Sequence, residues 1–110
     1  MPARPLFADL PEVGVATQAT PVTQVLVTNY ALPWHLIVQN EAGGDVTAVR
    51  VRSRTHEKGP WSPWQAVTSG LPITAGAPLS IAERDIPSQA IEVELTAASV
   101  GVASLWLVGV

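Results

Sequence analysis

Few side chains in this sequence are equipped to make or break bonds. There is no cysteine, which removes thiolate nucleophiles, thiolate metal sites and disulfides together. The two histidines fall in different segments: His35 in an apolar run, His56 in a polar turn beside Glu57. Neighbouring residues on a strand or turn rarely form a working acid–base pair, because their side chains diverge. No G-x-S-x-G, H-E-x-x-H or phosphate-cradling glycine loop occurs. Asn40, Glu41 and Asp45 carry the oxygens calcium takes, but Gly43 and Gly44 between them make a tight turn the simpler reading. The expectation is a protein without catalytic group, cofactor or metal.

What remains is binding chemistry, and it is concentrated in Asp45 to Gly70. This stretch reads as a β-hairpin with a polar turn at His56–Gly59. Alternation puts Val49 and Val51 on one face and Arg50, Arg52 and Arg54 on the other. Half of the six basic residues therefore share one row. The row has three readings: a grip on an acidic partner, a pairing with the matching row Glu92 and Glu94 across adjacent strands, or a solvated sheet face. The pairing within the chain is favoured. Trp61 and Trp64 follow in GPWSPWQ. An offset of three sends them to opposite faces of a regular strand, unless Pro63 introduces a bulge. One would then pack inside, and the other could anchor a protein interface or stack on a sugar ring.

The elements that position these residues are strands. VTQVLVTN, WHLIVQN, PLSIAERDI, AIEVELTAAS and VASLWLVGV are β-branched or alternating runs separated by turn residues. Seven or eight short strands at roughly 10–12-residue spacing indicate one all-β sandwich, jelly-roll-like or Ig/fibronectin-like, over residues 21–110. Its expected core is Val25, Val27, Leu36, Val38, Val49, Val51, Ile91, Val93 and Leu95. In the last run Leu105 and Leu107 face one way and Trp106 and Val108 the other. A strand apolar on both faces is either central or covered by another chain, so Trp106 joins the candidate contact residues. Residues 1–20 carry Pro2, Pro5 and Pro11 and keep no period. They read as an extended arm spanning at most about 65–70 Å, whose Leu6, Phe7, Leu10 and Val13 would bury against a neighbour.

Charged residues are only 14% of the chain, and Lys58 is its one lysine. So sparse a charge suggests a surface that meets protein rather than water. A net charge of −3 gives no reason to expect a nucleic-acid partner. No run approaches the 18 or so apolar residues of a membrane helix. The N-terminal stretch lacks an uninterrupted apolar core of the secretory kind, so synthesis in a cytoplasm is expected.

VRVRSRTHEKGPWSPW resembles the hairpin near the end of fibronectin type III domains, although here a long stretch follows Trp64. W-S-P-W is also similar to thrombospondin type 1 repeats, which depend on cysteines. More broadly, the proline-rich arm, the lysine-poor and cysteine-free sandwich and the terminal strand VASLWLVGV resemble small all-β bacteriophage virion proteins of the head-decoration and minor-capsid kind. That resemblance implies a non-enzymatic structural role in a virion assembled in a host cytoplasm. It implies binding to a major capsid or other virion protein, as a homo-oligomer or lattice-bound subunit. The alternatives are a carbohydrate-binding or adhesion module using an exposed tryptophan, and a fibronectin-like spacer.

Overall fold

The computed structural model describes residues 13–30 and 32–109. They form eight strands: β1 (Val13–Thr17), β2 (Val22–Val27), β3 (Trp34–Gly43), β4 (Val46–Arg54), β5 (Gln65–Ala66), β6 (Pro78–Glu83), β7 (Ala90–Ala97) and β8 (Gly101–Gly109). The expected all-β sandwich is what the chain adopts. Its pairings are nested: β1 with β8, β2 with β7, β3 with β6 and β4 with β5, all antiparallel. Two further pairings, β3 with β8 and β4 with β7, complete two four-stranded sheets, ordered β1-β8-β3-β6 and β2-β7-β4-β5. This is the strand order of a jelly roll, a long antiparallel ribbon rolled into two facing sheets. It is not the order of an immunoglobulin or fibronectin domain, so the local resemblance of residues 48–64 does not extend to the topology.

Between the sheets lie Leu36, Val38, Val49, Ile91, Val93 and Leu95, as alternation requires, joined by Trp34, Val46, Ile73, Leu105 and Leu107. Val51 packs against this core but is only half-buried. Val25 and Val27 were expected inside and are outside, 40% and 51% exposed, while Leu26 between them is 5% exposed. The register of β2 is thus one residue from the expected one, which reverses both faces. Both faces of VTQVLVTN carry apolar residues, so alternation does not choose between them. The larger Leu26 goes in. Thr28 follows it on the same face and is buried at no polar cost, because its hydroxyl donates to the Ser88 carbonyl (2.6 Å) and lies 3.0 Å from the Ser88 hydroxyl.

The boundary at residue 20 also moves. Val13–Thr17, placed by the sequence in the arm, is a strand of the sandwich, with Val15 and Thr17 buried. It covers the edge of β8, which makes β8 the central strand its two apolar faces suggested. Of the two glycines expected to turn the chain here, Gly43 takes the left-handed backbone, with φ +94°, and an added Cβ would lie 2.4 Å from the Gly101 backbone opposite it; Gly44 does not have a positive φ.

Candidate interaction surfaces

On β4 the outward residues Arg50 and Arg52 stand directly opposite Glu94 and Glu92 of β7. Arg50 Nε and Nη2 donate to the two carboxylate oxygens of Glu94 at 2.6 and 2.9 Å. Arg52 Nε donates to Glu92 at 2.6 Å, and Arg54 Nε to the amide oxygen of Gln89 at 2.9 Å. The hydrogen bond that Arg50 donates to the Glu94 carboxylate is the chief reason its pKa is raised above the usual value, with desolvation opposing it. The favoured pairing within the chain is therefore present.

The tryptophans complete this array. Residues 61–66 return alongside β4, but not as the regular strand the sequence suggests. Only Trp61 opposite Arg54 and the two residues of β5 pair in strand fashion. Ser62 holds the gap: its backbone N–H donates to the Ser53 carbonyl (2.7 Å), and its hydroxyl accepts from the Ser53 N–H (3.0 Å). Pro60 and Pro63 favour the extended, three-residue repeat of polyproline geometry, in which residues three apart point the same way. Trp61 and Trp64 accordingly share one side, contrary to the opposite-face expectation. Arg54 and Arg52 flank the Trp61 ring at 4.6 and 5.2 Å; Arg52 and Arg50 flank the Trp64 ring at 4.4 and 4.6 Å. The spacing is physical. Alternate residues of a strand repeat every ~6.8 Å, the thickness of one aromatic ring between two stacked guanidinium planes. The order Arg50–Trp64–Arg52–Trp61–Arg54 is a stacked ladder in which Glu94 and Glu92 offset the charges of Arg50 and Arg52, while Arg54 is held by the neutral amide of Gln89. Its groups are occupied with one another, and each ring is flanked by two cations rather than presented flat for a sugar.

The outer face of the other sheet is of opposite character. Its rows can be read from the register: Gly14, Ser104, Gln39 and Pro78 side by side, then Trp106, Ile37 and Ser80, then Val108, His35 and Ala82, with Ala16 beside Val102 at the far end. None of these is Asp, Glu, Lys or Arg. Glu41, the unpaired bulge residue of β3, sits at the rim. Trp106, Ile37 and Val108 are half-buried and Val102 is exposed. The sequence singled out Trp106; it did not show that the whole face around it is uncharged, because the face is assembled from four strands distant along the chain.

Of the other candidates, Val13 lies in β1 opposite Leu105; Leu6, Phe7 and Leu10 lie outside the described residues. His35 is on the uncharged face and His56 in the turn after β4. Asn40 is buried and its amide donates to the carbonyls of Gly44 (3.1 Å) and Ile73 (2.9 Å), so it ties loops together. Among the described residues no group of three or more His, Cys, Asp or Glu is placed to hold a metal ion.

Comparison with known proteins gives little. No family model matches the chain, and no curated protein matches it. Among solved structures, one of infectious bursal disease virus, Gx strain, is similar over 89% of this chain at 17% identity, with a TM-score of 0.48. The match spans only 28% of that chain's length.

Proposed function

We propose that this chain is a non-enzymatic structural subunit of a virus particle, a capsid-decoration or minor head protein that binds and stabilises a protein lattice through its surface. The observation that carries the reading is the uncharged outer face of the β1-β8-β3-β6 sheet, centred on Trp106 and Ile37. An antiparallel sheet facing water normally alternates apolar-in and polar-out. Here the outward rows carry no Asp, Glu, Lys or Arg inside the rim, whereas the outward side of the partner sheet carries three arginines and two glutamates. A face of that kind, with an aromatic at its centre, suits burial against protein. The jelly-roll order supports the same reading, since that architecture is common to viral capsid and lectin domains. Of those two, the lectin reading loses its proposed instrument, because Trp61 and Trp64 are stacked between arginines.

The mechanism is adhesive. The sheet face docks on a lattice subunit, and repetition over a symmetric shell multiplies a modest free energy per copy. The arginine–tryptophan ladder keeps the opposite sheet rigid and occupied, so one side of the sandwich binds and the other stays in solvent. The test is quantitative mass spectrometry of purified virus particles from the source of the sequence. Many copies per particle, in a fixed ratio to the major capsid protein, are expected. Absence from the particles, or presence only at trace level, overturns the proposal.

A further inference from the structure

Short strands, prolines and charges at a sheet edge discourage further pairing. β5 is two residues long, and β6 runs from Pro78 to Glu83 with Arg84 and Asp85 next in the chain. β1 turns only Gly14 and Ala16 outward, which gives a partner little to pack on. The fourth edge, β2, has no such guard: Val22–Val27 contains no proline, glycine or charged residue. Alternation assigns its main-chain groups. Val67 and Ser62 donate their N–H groups to the carbonyls of Val49 and Ser53 at 2.9 and 2.7 Å, so these residues of β4 bond towards β5. Arg50 and Arg52 then bond β7 through Glu94 and Glu92, and Val93 and Ile91 bond β2 through Gln24 and Leu26. Thr23, Val25 and Val27 are left with N–H and C=O pointing off the sheet, with no strand beside them among the described residues. The Val25 carbonyl accepts from the side-chain amide of Gln24 at 3.2 Å instead. Of the six large apolar side chains exposed among the described residues, Val25, Val27 and Tyr30 lie on β2 and the turn after it.

We infer that β2 pairs antiparallel with β2 of a second copy of this chain, across a two-fold axis at Val25. The edge itself sets the register. Centred on Val25, Thr23 stands opposite Val27 of the other copy, and all three outward-bonding residues on each side are paired, giving roughly six main-chain bonds. A shift one way sets Val27 against Pro21, which has no N–H to give. A shift the other way sets Thr23 against Asn29, whose left-handed φ of +51° ends the strand. The outward row becomes Thr23–Val27, Val25–Val25 and Val27–Thr23, all β-branched pairs. A second copy also meets no like charge. The nearest, Glu92 beside Val25, would lie three strand spacings from its counterpart, roughly 14 Å. That exceeds the screening length of about 8 Å, and Arg52 already pairs each Glu92. The pairing explains why Val25 and Val27 lie outside the core. Because paired residues share a face, both copies hold their Trp106 faces on the same side of the dimer. The dimer stands apart from the lattice reading, but under that reading it makes each unit bivalent.

The test is sedimentation equilibrium of the full-length protein without particles, at up to roughly 0.5 mM, where even a weak interface is occupied. Wild type should show twice the 11.6 kDa of one chain. Val25→Lys, which sets two like charges face to face on the axis, should weaken association at least tenfold while circular dichroism stays native. The absence of cysteine allows a second reading that does not depend on a disruptive variant. Val25→Cys faces its own counterpart at about 5.5 Å between Cα atoms, within disulfide range. Mild oxidation should link it at roughly ten times the yield of Val27→Cys, which faces Thr23, or of Thr47→Cys, an exposed position on β4. A wild-type monomer throughout, or a dimer that Val25→Lys leaves intact, overturns the inference. So does a Val25→Cys yield no greater than the controls. None of these outcomes touches particle binding through the Trp106 face, which can stand or fall separately.

Discussion

Arg52 is the middle rung of the ladder, and replacing it tests whether the stack is a source of stability or only an arrangement. It alone is flanked by both rings, at 4.4 Å from Trp64 and 5.2 Å from Trp61, and it bonds Glu92 at 2.6 Å. Each partly exposed cation–ring contact contributes about 0.5–1 kcal/mol. The ion pair, with side chains 29% and 14% exposed, adds about 0.5–1 kcal/mol. Arg52→Ala should therefore cost about 1.5–3 kcal/mol, a fall in Tm of roughly 6–12 °C for a domain of this size. Arg52→Lys keeps the charge but loses the planar stack, and should cost about half as much. Arg50→Ala, with one ring neighbour and a more exposed side chain, should cost less than Arg52→Ala. Urea unfolding followed by circular dichroism measures all three. A double-mutant cycle with Trp64→Ala should return a coupling of about 0.5–1.5 kcal/mol. If Arg52→Ala unfolds within about 0.5 kcal/mol of wild type, or Arg52→Lys is indistinguishable from wild type, the ladder contributes nothing and the reasoning fails.

Three other outcomes follow from the packing. Leu26→Ala should cost about 2–4 kcal/mol in urea unfolding while Val25→Ala and Val27→Ala each cost under about 1 kcal/mol; the reverse order would place Val25 and Val27 inside and contradict this register of β2. A chain beginning at Val13 should unfold cooperatively, whereas one beginning at Pro21 loses β1, bares the edge of β8 and should show neither a cooperative transition nor native circular dichroism. Asn40→Ala leaves the Gly44 and Ile73 carbonyls without its amide, and should cost about 2–3 kcal/mol with faster hydrogen exchange at Ile73, Gly76 and Ala77.

Much of the sandwich was legible in sequence because β4 and β7 alternate cleanly, and alternation is what a strand with one wet face requires. The pairing of Arg50 and Arg52 with Glu94 and Glu92 was legible for the same reason: two rows of opposite charge at the same spacing. β2 was ambiguous, since Val25 and Val27 compete with Leu26 for the core and no local signal decides. β1 was hidden by the prolines on either side of it, Pro11 and Pro21, although none falls within Val13–Thr17. Trp61 and Trp64 were misplaced by applying a period of two where Pro60 and Pro63 favour a period of three. The extent of the uncharged face was not legible, because it is assembled from strands far apart in the chain. Trp106 was the one visible trace of the face.

The central claim is that the sheet face around Trp106 is what binds. The decisive measurement is rebinding of purified full-length protein to particles stripped of it, comparing wild type with Trp106→Glu and with Val102→Glu, an exposed position on the same face. Circular dichroism confirms that each variant is folded. Wild type should return at its native copy number, and both folded variants should bind at least about tenfold more weakly, since either places an uncompensated charge in a dry interface. Rebinding of both variants at wild-type strength would contradict the account.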